Sequence, residues 1–171
     1  MLKYVTGNAL EPVGEGKKLI IHCCNDAGGW GRGFVLAISA RWPDVEKCYR
    51  SWAKNGFFYD DSKVPVRFRL GEIQPVEVEP GLYVVNMIGQ RGYSPYVCAL
   101  DNNVIEIPPI RYEAIRDCLY EVLMLAKRLN ASVHGPRFGS KLAGGNWTEI
   151  EKLIIDILID NGISVTIYTP K

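Results

Sequence analysis

Residues 17–43, KKLIIHCCNDAGGWGRGFVLAISARWP, constrain the fold more than any other stretch of the chain. Residues 18–24 read as a strand, and its run Leu19, Ile20, Ile21 is apolar on both faces. Such a strand belongs in the interior of a sheet covered on two sides. A polar, glycine-crowded turn follows over residues 25–33, and a helix opens at Phe34 and runs to Trp42. Gly28, Gly29, Gly31 and Gly33 surround Trp30, more glycines than a tight turn requires. Glycine lets backbone N–H groups come close to a ligand, and the new helix adds unpaired N–H groups and the positive end of its dipole. Strand, glycine loop and helix in this order predict a ligand-binding edge that accepts an anion.

The flanking segments predict the rest of the sheet. Residues 2–6 form a short strand closed by Gly7-Asn8. After the first helix, Pro43-Asp44 breaks and restarts the pattern, and Val45, Cys48, Tyr49 and Trp52 continue it as a second amphipathic helix. Residues 55–65 are polar and turn-rich. Residues 66–78 and 81–88 predict a hairpin that turns at Glu79-Pro80-Gly81. The stretch 91–109 carries three prolines and reads as a long surface loop bordering a site. Tyr112, Ile115, Leu119, Val122, Leu123, Ala126 and Leu129 recur at helical spacing, with Asn130 as the stop. A strand over 131–135 then leads into a second glycine-containing loop, 136–146. A helix from about Trp147 turns Ile150, Leu153, Ile154, Ile157 and Leu158 inward and ends at Asn161-Gly162; residues 163–168 close the chain as a strand. Strands alternating with helices predict one α/β domain over residues 1–171, a three-layer α/β/α sandwich with a mixed, largely parallel sheet. In such a sheet the strand ends gather their loops on one edge, so the two glycine loops meet there, as a diphosphate would require.

Whole-chain properties narrow the function classes. A chain of 171 residues buries a proper core without staples. A net charge of +1 gives no general attraction to nucleic acid or to a membrane surface, so any anion site is local. The five cysteines (23, 24, 48, 98 and 118) are odd in number and lack C-x-x-C spacing or a His/Cys cluster. That argues against a disulfide framework and a zinc site, and for a reducing cytoplasm; neither metal nor cofactor is called for. The opening MLKYVTGNAL has no signal-peptide core, and no apolar run reaches membrane-spanning length.

Four segments together carry a resemblance: Tyr4-Val5-Thr6-Gly7-Asn8, Ile21-His22-Cys23-Cys24-Asn25 with the loop to Gly33, Pro136-Arg137-Phe138-Gly139 to Gly144-Gly145-Asn146-Trp147, and Val165-Thr166-Ile167-Tyr168. Over nearly its whole length the chain resembles the macrodomain family, the ADP-ribose-binding α/β/α modules. It looks most like the branch with phosphatases of ADP-ribose 1''-phosphate and terminal ADP-ribose protein glycohydrolases. H-x-C-N, G-x-W-G-x-G, and P-R-x-G leading to G-x-W form a specific combination, although each piece alone is weak.

The resemblance implies a division of labour. Asn8, with Ala9 beside it, would meet the adenine amino group, and Tyr168 would stack on the base; a turn residue and a half-exposed strand aromatic are the plain alternatives. Pro136, Arg137, Phe138 and Gly139 lead into Ser140, Lys141, Leu142 and Ala143, whose loop would cradle the diphosphate through backbone N–H groups, with Arg137 and Lys141 adding charge. Gly28, Gly29, Trp30, Gly31, Gly33 and Phe34 would wrap the distal ribose and the nearer phosphate. Asn25 would hold the distal ribose, or shape its own loop as an Asx-turn, and both roles are compatible. Asp26 would orient a water at the anomeric carbon or at a phosphate, and His22 would serve as general acid or base. A turn-forming aspartate and a satisfied core histidine are the corresponding structural roles. Cys23 and Cys24, inside a strand, are poor nucleophiles.

One departure bears on chemistry. The glycohydrolases use a lysine that attacks the ribose and an aspartate in the diphosphate loop; here Ala143 occupies the place of that aspartate and residues 86–90 contain no lysine, while Lys141 does not match. A covalent lysine mechanism is therefore not expected. The resemblance implies an ADP-ribose-binding module that hydrolyses ADP-ribose 1''-phosphate or an ADP-ribosyl ester. The alternative is a non-catalytic reader of ADP-ribose or of ADP-ribosylated macromolecules such as protein. A dinucleotide fold is disfavoured because the loop lacks G-x-G-x-x-G spacing.

Overall fold

The computed structural model describes residues 1–58, 65–100, 103–140 and 143–171. The chain runs through β1 (Leu2–Thr6), β2 (Lys18–Asn25), α1 (Phe34–Arg41), α2 (Pro43–Asn55), β3 (Phe57–Phe58), β4 (Pro65–Val66), β5 (Ile73–Glu79) and β6 (Leu82–Gln90). It continues with β7 (Tyr96–Leu100), β8 (Asn103–Ile107), α3 (Tyr112–Leu129), β9 (Ser132–Gly135), α4 (Trp147–Ile157), a 3-10 turn at Ile159–Asn161, and β10 (Val165–Thr169).

Six strands form the main sheet in the order β1-β10-β9-β2-β6-β5. Every neighbouring pair is parallel except β5 with β6, the expected hairpin. The doubly apolar β2 lies between β9 and β6, where two covered faces are available. Ile20 and Cys24 pack with Ile38 of α1 and Val45, Tyr49 and Trp52 of α2. Leu19 and Ile21 pack with Ile115, Leu119 and Val122 of α3 and Ile150 and Ile154 of α4. Alternation along one strand thus feeds two cores, and the three-layer sandwich with its mostly parallel sheet follows.

Local chemistry sets the helix limits. Pro43 opens α2, where its missing N–H costs nothing and its fixed φ suits a first turn. Val45, Tyr49 and Trp52 then fall on one stripe and are all buried. Asn130 stops α3 in the left-handed conformation, φ 52° and ψ 50°. Asn146 caps α4 by accepting from the Thr148 N–H at 2.9 Å.

Two expectations are corrected. The stretch 91–109 is not one irregular loop: β7 and β8 pair antiparallel from Tyr96↔Ile107 to Leu100↔Asn103. The prolines at 95, 108 and 109 lie outside both strands, so they bracket the ladder rather than forbid it. The expected strand over 66–78 is divided, because β4 ends at Val66 and β5 starts at Ile73. Gly71, at φ 93°, belongs to the intervening turn. Among the described residues no helix is long and apolar enough to cross a membrane.

Candidate functional site

Because β1, β10, β9, β2 and β6 are parallel, their carboxyl ends share one edge of the sheet. Pairing of β2 with β9 sets the 26–33 loop beside the 136–146 loop. Gly135 permits this closeness: a Cβ there would stand 2.6 Å from the carbonyl oxygen of Ile21.

The first loop is built around Asn25. Its Oδ1 accepts from the N–H groups of Ala27 (3.0 Å) and Gly29 (2.9 Å), and its Nδ2 donates to Gly29 O (2.8 Å). The buried Tyr49 hydroxyl donates to Asn25 O at 2.6 Å. Burial raises the pKa of that phenol, which keeps it a donor. Asn25 therefore forms the Asx-turn anticipated as one of its two roles. Trp30 is 4% exposed and packs 5.1 Å from the Tyr49 ring. Its Nε1 donates to Ser39 Oγ (2.6 Å), which donates to Glu46 Oε1 (3.0 Å); Arg50 joins Glu46 Oε2 (2.9 Å) to Gly28 O (3.0 Å). This circuit ties Gly28 and Trp30, the first half of the glycine run, to α1 and α2. Gly33, at φ 79°, precedes α1, and no side chain caps that helix.

Tyr49→Phe removes the donor and leaves a buried carbonyl unsatisfied. The expected loss of stability is about 1–2 kcal/mol, read from the urea midpoint, with the tyrosine-to-phenylalanine change leaving the packing of the ring intact.

His22 lies under this loop and is 2% exposed. Its ring meets Trp30 edge-on at 5.6 Å and Phe34 at 6.0 Å. Nε2 bonds Asn86 Oδ1, while Asn86 Nδ2 donates to Gln74 Oε1 (3.0 Å) and Gln74 Nε2 donates to Cys48 O (2.9 Å). Since the Asn86 amide nitrogen is already a donor to Gln74, the His22 proton is assigned to Nε2. Burial lowers the His22 pKa to about 4, so the ring is neutral at pH 7. The structure thus places His22 as a satisfied core group. Burial also pushes Cys23 up to about 12 and Cys24 well above its ordinary value, in keeping with inert thiols.

Asp26 is half-buried at the mouth of the loop. Its Oδ1 accepts from Gly92 N at 2.8 Å, and its own N–H donates to Gln90 O at 3.0 Å. In the second loop, Gly139 and Gly144 both adopt φ 74°, Gly145 N donates to Gly139 O (2.9 Å), and Ala143 O accepts from Ile110 N (3.0 Å). Phe138 is buried edge-on against Trp147 at 5.7 Å, next to the half-buried Pro136. Ser140 Oγ donates to Arg137 O (2.9 Å), and the exposed Arg137 guanidinium lies 5.1 Å over the Tyr4 ring. Lys141 and Leu142 lie outside the described residues.

At the far end, Asn8 is exposed and its Oδ1 accepts from Leu10 N at 2.9 Å, an Asx-turn, while Ala9 is buried. Tyr168 is 3% exposed. Its oxygen accepts from Val13 N (3.0 Å) and bonds His134 Nδ1 (2.8 Å), whose Nε2 meets Ser132 Oγ (2.7 Å). Tyr168 is thus buried, with its hydroxyl tied to the segment that follows β1.

Several residues that shape the site went unread in the sequence. In the sequence Tyr49 is one more position of an amphipathic helix, and Asn86 and Gln74 carry no assigned role. A polar residue inside an apolar strand needs a buried partner, and that was the available signal. Among the described residues no three His, Cys, Asp or Glu side chains group as a metal site.

No family model matches the chain. A macrodomain protein from Streptomyces coelicolor is 45% identical and superposes with a TM-score of 0.78, covering 99% of both chains. This chain belongs to the macrodomain family. The macrodomain also resembles a protein of unknown function from Bacteroides thetaiotaomicron, 45% identical with a TM-score of 0.84 over 98% of this chain and 97% of that one. Its fold is shared by Thermosipho africanus DarTG in complex with ADP-ribose, 16% identical, TM-score 0.64, covering 88% of this chain and 37% of that one. Among curated relatives it is 29% identical to the Mus musculus chromodomain-helicase-DNA-binding protein 1-like over 98% of its own length, yet it spans only 17% of that protein. The ADP-ribose 1''-phosphate phosphatase of Saccharomyces cerevisiae matches at 40% over 48 residues, 28% of the macrodomain and 27% of the phosphatase.

Proposed function

We propose that this macrodomain binds ADP-ribose and hydrolyses an ADP-ribose derivative, either ADP-ribose 1''-phosphate or an ADP-ribosyl ester. The observation that carries the proposal is the glycine loop running into the uncapped α1 beside the second glycine loop, two sources of backbone donors on one sheet edge. Residues 28–34 would take the distal ribose and the nearer phosphate, residues 136–143 the diphosphate, and Asn8, Ala9 and Tyr168 the adenosine end. The likeness to DarTG, which is seen in complex with ADP-ribose, and the matched segment of the yeast phosphatase support this choice of ligand.

Of the three groups proposed for catalysis, Asp26 alone combines a carboxylate with partial exposure at the mouth of the loop. It would orient the water that attacks phosphorus or the anomeric carbon, releasing phosphate or the carboxylic acid. Asn25 would act by holding the loop, and His22 by supporting it from below. Remote binding energy on the adenosine would position the reacting sugar. A reader of ADP-ribosylated protein is the second proposal, favoured by Ala143 and by the absence of a lysine in residues 86–90. The free thiols of Cys23, Cys24, Cys48 and Cys118 suit a reducing, cytoplasmic setting.

Gly31→Glu is the discriminating variant. A Cβ at Gly31 meets nothing within 4 Å, so the substitution is tolerated by the fold and sets a carboxylate where the distal ribose and the nearer phosphate would lie. Isothermal titration should give micromolar binding of ADP-ribose by the wild type and about a 100-fold loss in the variant, the scale of a like-charge contact near a protein surface. An intact protein that binds no ADP-ribose would refute the proposal; binding without turnover of either derivative would favour the reader.

A further inference from the structure

The first loop holds one glycine whose reason is not a ligand. A Cβ on Gly29 would stand 2.6 Å from Tyr93 Cε1 and 2.7 Å from Cδ1, so the Tyr93 ring rests directly on the Gly29 Cα, an approach only glycine allows. Tyr93 is nevertheless 64% exposed, and most of its ring is open to solvent.

The ring is held there by a clamp on the preceding residue. Gly92 donates its N–H to Asp26 Oδ1 (2.8 Å) and accepts at its carbonyl from Gln90 Nε2 (3.0 Å). Asp26 follows β2 and Gln90 ends β6, the two central parallel neighbours, and the Arg91 N–H donates to Pro109 O at 2.8 Å. Gly92 adopts φ 62°, a left-handed conformation that turns the chain toward the glycine loop. An exposed aromatic ring with this much fixing on the two residues before it is placed, and what it is placed beside is Gly29, next to the Asn25 amide, at the distal-ribose end of the loop under the ADP-ribose reading.

We infer that Tyr93 is a specificity-determining residue: its open face packs against the group that the distal ribose carries, so that the protein distinguishes substituted from unsubstituted ADP-ribose. Asp26 and Gln90 are positioning residues for that ring. The inference rests on the ADP-ribose reading and adds to it the acceptor side of the substrate. Flat or extended groups, such as the side-chain amide or ester of a peptide, offer a face to a phenol ring, whereas a bare hydroxyl does not.

The test compares two probes by isothermal titration: ADP-ribose, and a peptide carrying ADP-ribose on a glutamine side chain, a linkage chosen to resist hydrolysis. Tyr93→Ala should weaken the peptide probe about tenfold and ADP-ribose less than threefold. Tyr93→Phe, which keeps the ring, should match the wild type. Gln90→Ala, which removes the donor to the Gly92 carbonyl, should reproduce the selective loss. An equal effect of Tyr93→Ala on both probes, or no effect on either, would overturn the specificity role while leaving ADP-ribose binding in place. Wild type that binds neither probe would remove the ADP-ribose reading and this inference with it.

Discussion

Acidification from pH 7 to pH 4 is expected to cost the folded protein about 6 kcal/mol through its two histidines alone. His22 and His134 are each 2% exposed, and the pKa of each is lowered from 6.5 to about 4, by burial for His22 and by burial together with nearby Lys18 for His134. In the unfolded chain both rings take up a proton near pH 6.5, whereas the native rings do so only near pH 4. The unfolded state therefore binds more protons within this window, and stability falls as pH falls. Above pH 6.5 the stabilisation is fully present. At pH 4 each ring has lost roughly 3 kcal/mol, a large part of the 5–15 kcal/mol that holds a typical domain together. Urea unfolding followed at pH 7, 5.5 and 4 measures the loss directly. His134→Gln should start less stable at pH 7 yet lose about half as much on acidification; an unchanged pH slope in that variant would show that His134 is not the titrating group.

Trp52→Ala is expected to remove about 4 kcal/mol at pH 7, the largest effect of any single truncation near the site. Trp52 is fully buried, meets Phe68 edge-on at 5.1 Å, and donates from Nε1 to Val66 O at 3.0 Å. It thereby fastens α2 to the segment leading into β5. One turn earlier on the same helix stripe, Tyr49 holds Asn25 O, so loosening α2 also loosens the glycine loop. Affinity for ADP-ribose should consequently fall with stability in Trp52→Ala. Trp147→Ala, at the half-buried start of α4, should cost less than half as much. Equal urea midpoints for the two variants would contradict the assignment of Trp52 as the anchor of its layer.

Much of the architecture was legible because its signals are local and repeated. A run apolar on both faces placed β2 inside the sheet, Pro43 and Asn130 marked helix ends, and Glu79-Pro80-Gly81 marked the hairpin. The β7–β8 ladder was obscured because the prolines at 95, 108 and 109 read as marks of a long surface loop, although they only frame it. In the site, the glycines announced a loop, but the partners that hold the loop come from elsewhere: Tyr49 from α2, Gly92 from the turn after β6, Arg50 from the exposed side of a helix. Contacts across 24 or 66 positions leave no periodic trace. The bond on the Tyr168 hydroxyl was equally unreadable, since nothing local in Val13 predicts a bond to the last strand.

The chain of side-chain amides that crosses the middle of the sheet has a consequence for how the sheet assembles. β2 and β6 are so evenly apolar that burial alone would accept a pairing displaced by two residues nearly as well as the native one. His22, Asn86 and Gln74 stand opposite one another only in the native alignment. A displaced pairing of β2 with β6 would part His22 Nε2 from Asn86 Oδ1 and bury both without each other, at about 1–3 kcal/mol each. The line of amides therefore works as a key for strand alignment, and a chain with Leu at all three positions would be expected to fold to a mixture of registers rather than to one.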